Sequence, residues 1–416
     1  MRKIFHRLVT VGVFVSIATF VLAQEPESQE SETEVEDQAN PSTDSSGDTS
    51  SSPGIYPDRV KFGQSCALTG RNAASGLGMR LGLQAAFQQA NENGGIHGRK
   101  IELITLDDGY EPVLTIENSR KLILEEQVFA LIGAVGTPTS RVAVPFCQEH
   151  NVPYIGPLTG AAFLREEQDV VINLRASYAQ ETEEMVKFLT EEVGTDKIAI
   201  FYQDDSYGRA GYNGTLAAME KRGLELVSSG NYRRNTLDVR TAVLDISEAE
   251  PDAIIMIGSY EPSAEFIKWS KKVGMDAIFV NISFVNINAL AEELGTSSEG
   301  VLVTQVVPFP MSTALDITKN YQAALKAFDS DLSPEFFSYE GYLVGRLALL
   351  GLERAGADVT RKSFLDEIRS LENVDLEGYL LDFGDDNQGS DRVFITVLAA
   401  DGSCRDVKSI QDMSLP

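Results

Sequence analysis

From Val60 onward the chain alternates short apolar runs with longer stretches in which apolar residues recur at helical spacing. The run VKFGQSCAL predicts a strand. Residues 76–91 then put Leu77, Leu81, Ala85 and Phe87 on or near one helical face, and Asn93-Gly94-Gly95 stops that helix. KIELITLD is the next strand, followed by a helix over 113–125, the strand VFALIGAV, a helix over 139–150 and the strand VPYIG. The beat resumes with helices near 179–193, 209–222, 237–247 and 262–273, interleaved with the strands KIAIFYQ, LELVSSG, DAIIMIG and AIFVNIS. Strands that are apolar throughout and joined by helices specify a parallel sheet covered on both faces. Two such sheets fit the length. After VLVTQVVPF three helices follow in succession, near 314–328, 336–355 and 360–371, before RVFITVLAA. This tail is too short for a third sheet domain, so it is expected to return over the first two and to carry the chain between lobes more than once.

The first 54 residues break this pattern. Arg2, Lys3 and Arg7 precede an uncharged run from Leu8 to Leu22 and the small-residue exit Val21-Leu22-Ala23, the features of a secretory signal cleaved after Ala23. The apolar run is 15 residues, short of the roughly 18–20 that cross a bilayer as a helix. Residues 24–54 carry nine acidic side chains, no basic ones and almost nothing apolar, so they cannot offset their ordering entropy and are expected to form a disordered spacer. The whole chain has a net charge of −27; setting aside +3 for the signal and −9 for the spacer leaves −21 on residues 55–416. A surface of that sign repels phosphate backbones and anionic lipid, which argues against nucleic acid as a partner. Some 360 residues exceed what one hydrophobic core usually holds, so two domains are expected. Cys66, Cys147 and Cys404 are too few for a disulfide scaffold and allow one bridge at most.

Candidate chemistry gathers at the carboxyl ends of the strands, where an open parallel sheet binds ligands with loops and helix N-termini. VFALIGAV runs into Gly136-Thr137-Pro138-Thr139-Ser140, and VPYIGP into Leu158-Thr159-Gly160-Ala161; either turn offers a carboxylate backbone N–H groups and a threonine hydroxyl, or its threonine simply caps a helix. In the second half the strand ends lead to Asp204-Asp205-Ser206-Tyr207-Gly208, to Ser259-Tyr260-Glu261-Pro262 and to Ser283-Phe284, and the two tyrosines suggest an aromatic wall or packed core positions. Catalytic sets are not offered. The three histidines, His6, His97 and His150, make no metal set and no Ser-His-Asp group, and the Gly76/Gly78/Gly82 series misses the dinucleotide spacing. Asp107-Asp108 reads as a solvated strand terminus whose two carboxylates point apart. No catalytic residue, metal or cofactor is expected.

These residues resemble a known family. ALTG at 67–70, the stretch from Ala86 through ANENGGIHGRKIELITLDD to Pro112, ALIGAVGT, VPYIGPLTGA, FYQDDSYGRAG and SYEGYLVGRL at 338–347 are similar, in order and spacing, to the type I periplasmic binding proteins, in the branch that binds leucine, isoleucine and valine for ABC importers. The resemblance covers Val60 to about Asp406. It implies an α/β fold of two doubly wound parallel-sheet lobes joined by a three-strand hinge, with lobe 1 as residues 55–177 plus 306–380 and lobe 2 as 178–305 plus 381–416. It implies hinge crossovers near Arg175–Tyr178, Gln305–Pro308 and Tyr379–Gly384. It implies that Gly136 and Thr137 hold a ligand carboxylate, that Leu158, Thr159 and Gly160 take both ends of an amino acid, and that Ser75, Tyr207, Tyr260 and Phe337 line the pocket. Ser283 stands where amino-acid binders place the acid that neutralises the ligand ammonium. Either Glu261, Asp204 or Asp205 supplies that charge, or the ligand lacks an α-ammonium. The implied activity is non-enzymatic capture of a small carboxylate-bearing molecule in the periplasm by a monomer, for an ABC permease or, alternatively, for a membrane receptor that senses the ligand.

Overall fold

The computed structural model describes residues 52–407 apart from 167, 168 and 385, together with 409 and 411; the expected signal and residues 24–51 of the expected spacer lie outside these residues. The spacer's last three residues belong to the fold instead, because Gly54 packs against Phe129, is buried, and accepts the Lys61 N–H on its carbonyl at 2.9 Å. The chain begins β1 (Arg59–Cys66), α1 (Ala73–Glu92), β2 (Lys100–Asp107), α2 (Pro112–Arg120), β3 (Ala130–Ile132), α3 (Thr137–Glu149), β4 (Tyr154–Ile155) and β5 (Val171–Ile172). These five strands form one sheet in the order β2-β1-β3-β4-β5, parallel throughout. The phase of the sequence pattern is met, and most differences are at ends. Helix α2 runs on as a wider turn over Lys121–Glu125, so the apolar periodicity of 113–125 is continuous although its hydrogen bonding is not.

The second half supplies α4 (Tyr178–Lys187), β6 (Ile198–Gln203), α5 (Ser206–Glu220), β7 (Ser228–Tyr232), α6 (Arg240–Ser247) and β8 (Ala253–Ile257), then α7 (Tyr260–Lys272), β9 (Ile278–Asn281), α8 (Ile287–Leu294) and β10 (Leu302–Gln305). After α9 (Asp316–Phe328), α10 (Phe336–Ala355) and α11 (Arg361–Arg369) come a small hairpin, β11 (Val374–Leu376) with β12 (Tyr379–Leu381), and two closing strands, β13 (Phe394–Leu398) and β14 (Cys404–Val407). The second sheet has the order β14-β13-β10-β9-β8-β6-β7. It is parallel from β7 to β10, and RVFITVLAA adds to its edge as an antiparallel strand that β14 extends. The strand expected at LELVSSG starts later, at Ser228, because pairing with β6 begins at Ala199 and β7 is an edge strand that tolerates exposed Ser229 and Asn231.

The returning helices pack on the first sheet's helices. Gly82 in α1 and Gly341 in α10 let the two backbones touch: a Cβ on Gly82 would stand 1.9 Å from the Ser338 carbonyl oxygen, and one on Gly341 2.3 Å from that of Met79. Both helices are long and small-residue-rich along that seam, and only glycine permits the approach. Cys66, Cys147 and Cys404 are free thiols. Among the described residues no helix is long and apolar enough to cross a membrane, and no group of three His, Cys, Asp or Glu side chains is placed to hold a metal ion.

Candidate functional site

The carboxyl ends of β3 and β4 lie side by side and are tied by a single bridge between Val135 and Leu158. Gly136 sits at φ +99°, and a Cβ there would meet the Tyr110 ring at 2.2 Å, so the turn needs glycine for both conformation and space. The Thr137 and Thr159 hydroxyls face each other at 2.6 Å, both fully buried. One expectation is corrected here. The Gly136 N–H is taken by the Leu158 carbonyl at 3.2 Å and the Thr159 N–H by that of Pro157 at 2.8 Å, so neither is free for an anion. The bridge between the two turns uses the first group and a tight turn within 157–159 the second, and the hydroxyls with the first turn of α3 remain. Thr139 and Ser140 turn back to the Gly136 carbonyl and stabilise that first turn.

Lobe 2 contributes an aromatic cluster. Asp205 caps α5 by accepting the N–H groups of Tyr207 and Gly208, which sets Tyr207 at the helix entrance. The Tyr207 ring lies 4.6 Å from Phe284 and 5.5 Å from Tyr178, and Tyr110 from lobe 1 closes on Phe284 at 5.7 Å. Tyr207 donates its hydroxyl to the Gly258 carbonyl, and burial pushes its pKa up. Tyr178 is the junction: its N–H binds the Gly160 carbonyl at 2.7 Å, its ring packs on Gly160, and its hydroxyl leans on Thr159 without a hydrogen bond of ordinary geometry. Tyr260 sits at the N-terminus of α7 and reaches the Ala74 backbone across the lobes. Ser75 binds Asn72 at 3.3 Å and Phe337 packs beside Gly78. Every side chain expected in the site is at most 8% exposed.

The acid sought for the ligand ammonium is not where the alternatives put it. Glu261 pairs with Arg71, Asp204 with Arg209 in solvent, and Asp205 is occupied as a helix cap and by Arg234. Ser283 gives its N–H and its hydroxyl to Glu181 at 3.0 and 2.9 Å and accepts from Arg175. Glu181 also takes the Thr304 hydroxyl, and Arg175 stands between Glu181 and Glu340, 3.6 Å from each. Burial opposes the charge on Arg175, but Glu340 and Glu181 outweigh it and hold its pKa above the ordinary value. Arg175, Glu181, Glu340, Tyr110 and Tyr178 were not singled out as site residues by the sequence patterns. The usable signal was a lone carboxylate, Glu340, inside the apolar helix FFSYEGYLVGRL.

Asp108 also departs from expectation. Asp107 does stay at the surface, gathering the Leu68, Thr69 and Gly109 N–H groups, but Asp108 is buried and accepts from Ser65 at 2.8 Å, Thr115 at 3.1 Å and the Tyr110 N–H at 2.9 Å. It thereby positions Tyr110 over the Gly136 turn.

Known proteins resemble the chain along most of this architecture. A crystal structure of a possible leucine/isoleucine/valine-binding protein from Rhodopirellula baltica is 36% identical, with a TM-score of 0.81 over 86% of this chain and 98% of that one. The Leu/Ile/Val-binding protein homolog 7 of Brucella abortus is 27% identical over 52% of this chain; the match spans 56% of that protein, little more than half its length. Homolog 3 of Brucella melitensis is 25% identical over 73% of this chain and 80% of its own. Residues 59–403 match the family described as periplasmic binding protein, and the chain belongs to that family.

Proposed function

We propose that this protein is an extracytoplasmic solute-binding protein that captures a small carboxylate-bearing molecule, an amino acid or related acid, between lobe 1 (55–177 plus 306–380) and lobe 2 (178–305 plus 381–416), and delivers it to an ABC permease. The observation that carries the reading is the pair of buried hydroxyls, Thr137 and Thr159, set 2.6 Å apart at adjacent strand ends, with Tyr178 beside Thr159 and the Tyr207 ring packed on Tyr178. Two hydroxyls beside a helix N-terminus suit an anion, and an aromatic wall suits an apolar side chain. The named relatives are binding proteins, which agrees with a non-enzymatic role.

In this reading Gly136, Leu158 and Gly160 shape the turns, Ser75 and Phe337 edge the pocket from lobe 1, and Tyr207 and Tyr260 close it from lobe 2. Ser283 acts one step back, through Glu181 and Arg175. A periplasmic location and a monomeric state complete the proposal. A thermal-shift screen of the purified protein against amino acids, aromatic acids and amides tests it. A ligand present at 100 times its Kd stabilises by about 2.7 kcal/mol, which such a screen detects. Stabilisation only by molecules without a carboxylate would overturn the reading.

A further inference from the structure

Four aromatic rings form an arc over the two threonine turns. Tyr178 stands beside Thr159 with its ring on Gly160, Tyr207 packs on Tyr178 at 5.5 Å, Phe284 on Tyr207 at 4.6 Å, and Tyr110 on Phe284 at 5.7 Å. The arc then returns to the first turn, because the Tyr110 ring lies against Gly136, the neighbour of Thr137. Tyr110 leaves β2 of the first sheet and ends on the second. Its hydroxyl accepts the Gln203 amide at 3.4 Å, at the end of β6. Gln203 is itself fixed, its amide nitrogen on Asp205 at 2.7 Å and its amide oxygen accepting the Tyr232 hydroxyl at 2.9 Å. The Tyr110 backbone sits at φ +61°, which a bulky residue rarely adopts, and the buried Asp108 side chain holds it there by accepting its N–H at 2.9 Å. Strain kept at a fully buried ring that is anchored at both ends is the kind that clusters at ligand sites.

We propose that Tyr110 is the end wall of the ligand cleft, a specificity residue that stops the apolar part of the ligand and so restricts the protein to short carboxylates. This rests on the carboxylate reading above and names what sets ligand length within it. A carboxylate held by the Thr137 and Thr159 hydroxyls presents the rest of the molecule to the arc, whose ring faces suit apolar groups. Toward Gly136 the way is shut. The Tyr110 ring fills the space that glycine's missing side chain leaves, so closely that a Cβ on Gly136 would stand 2.2 Å from it. Beyond the ring lie Gln203 and Asp205, polar groups already committed to one another, which offer an alkyl chain nothing to pack on. Each further methylene gains affinity until the chain meets the ring, and the next one forces Tyr110 off Phe284 or parts it from Gln203. Overfilling a packed site in this way is destabilising.

The test titrates the full chain by calorimetry with straight-chain carboxylates from acetate to decanoate and with the same series bearing a 2-amino group. In wild type, affinity is expected to rise about 4-fold per methylene and then to fall at a definite length. Tyr110→Gly removes the wall and puts at φ +61° the residue that this conformation favours, so the loop is expected to hold. In that variant the rise should continue for about two more methylenes, so the second carboxylate past the wild-type limit binds at least about 10-fold tighter than to wild type. Tyr110→Phe keeps the ring and should keep the limit. Tyr110→Leu retains a shorter apolar contact on Phe284 and gives the same readout should the glycine variant fail to fold. If Tyr110 only braces the fold, the substitutions weaken every length alike and leave the limit where it was. That result, or a limit that moves in Tyr110→Phe, overturns the inference and leaves the carboxylate reading standing. A wild type that binds every length up to decanoate with no fall overturns it as well. If carboxylates of no length bind wild type, both readings are overturned.

Discussion

Arg234, just beyond β7 in lobe 2, reaches across the cleft to Glu111 at the start of α2 in lobe 1, Nη2 to Oε2 at 2.9 Å. Its neighbour Asn235 binds the same carboxylate at 2.6 Å, and Arg71 with Glu261 makes a second ion pair between the lobes. Both pairs are partly exposed, so each contributes roughly 0.2–1 kcal/mol. Removing both with Arg71→Ala and Arg234→Ala is expected to lower the closed-to-open ratio of the unliganded protein roughly 2- to 30-fold. Small-angle scattering at low salt should show a larger radius of gyration for the double variant. The difference should shrink in 1 M salt, where the screening length is about 3 Å.

The threonine pair makes a separate prediction. Thr137→Ala and Thr159→Val each remove one hydroxyl from a buried pair held at 2.6 Å, and the partner hydroxyl loses its bond as well. Each is expected to weaken a carboxylate ligand by roughly 1.5–3 kcal/mol, about 10- to 150-fold, read by calorimetry. Unchanged affinity in both variants would place the anion elsewhere.

The sheets and helices were legible because their apolar periodicities are strong; what escaped depends on contacts distant in sequence. The β11–β12 hairpin turns at Glu377-Gly378, both at positive φ, and glutamate is an unusual residue there. Glu377 is explained by Arg346 on α10, 2.8 Å away, a pairing no local pattern announces. The threonine turns could be picked out as strand exits, but the commitment of the Gly136 N–H to Leu158 follows from the register of β3 on β4. Arg175, Glu181 and Glu340 stand on a strand exit and two helices, 165 positions apart at the extremes, and become one cluster only in the fold.

Burial raises the pKa of Asp108 to about 6 against the pull of Ser65, Tyr110 and Thr115. Because the folded value lies above the unfolded one, near 3.9, the folded state binds the proton more tightly. The stabilisation from that proton is full below about pH 4 and is lost as pH rises through about 6, at most roughly 3 kcal/mol. Asp108→Asn removes this dependence. Its melting temperature is expected to fall less than that of wild type between about pH 4 and pH 7. Parallel melting curves for the two proteins across that range would contradict the assignment.

Residues 24–51, which stop short of the packed Gly54, are acidic and carry almost nothing apolar. Their deletion is expected to leave both the melting temperature and ligand affinity unchanged. A loss of more than a few degrees on differential scanning calorimetry would assign them a structural role.

Ligand contacts on both lobes imply that binding drives closure. Thr137 and Thr159 belong to the first sheet's strand ends, Tyr207 and Tyr260 to the N-termini of helices on the second, and all four are buried. A ligand shifts such an equilibrium only by its differential affinity for the closed state, which contacts from both sides supply. The movement is expected at the crossovers near Arg175–Tyr178, Gln305–Pro308 and Tyr379–Gly384. The variant lacking Arg71 and Arg234 is the better reporter, since its unliganded form starts more open. Its radius of gyration should fall on saturation with a ligand found by the screen, and Tyr207→Ala should lose affinity, because that ring touches both Tyr178 and Phe284. A radius that stays constant at saturation, with Tyr207→Ala and Tyr260→Ala binding as wild type does, would show that lobe 2 takes no part in capture.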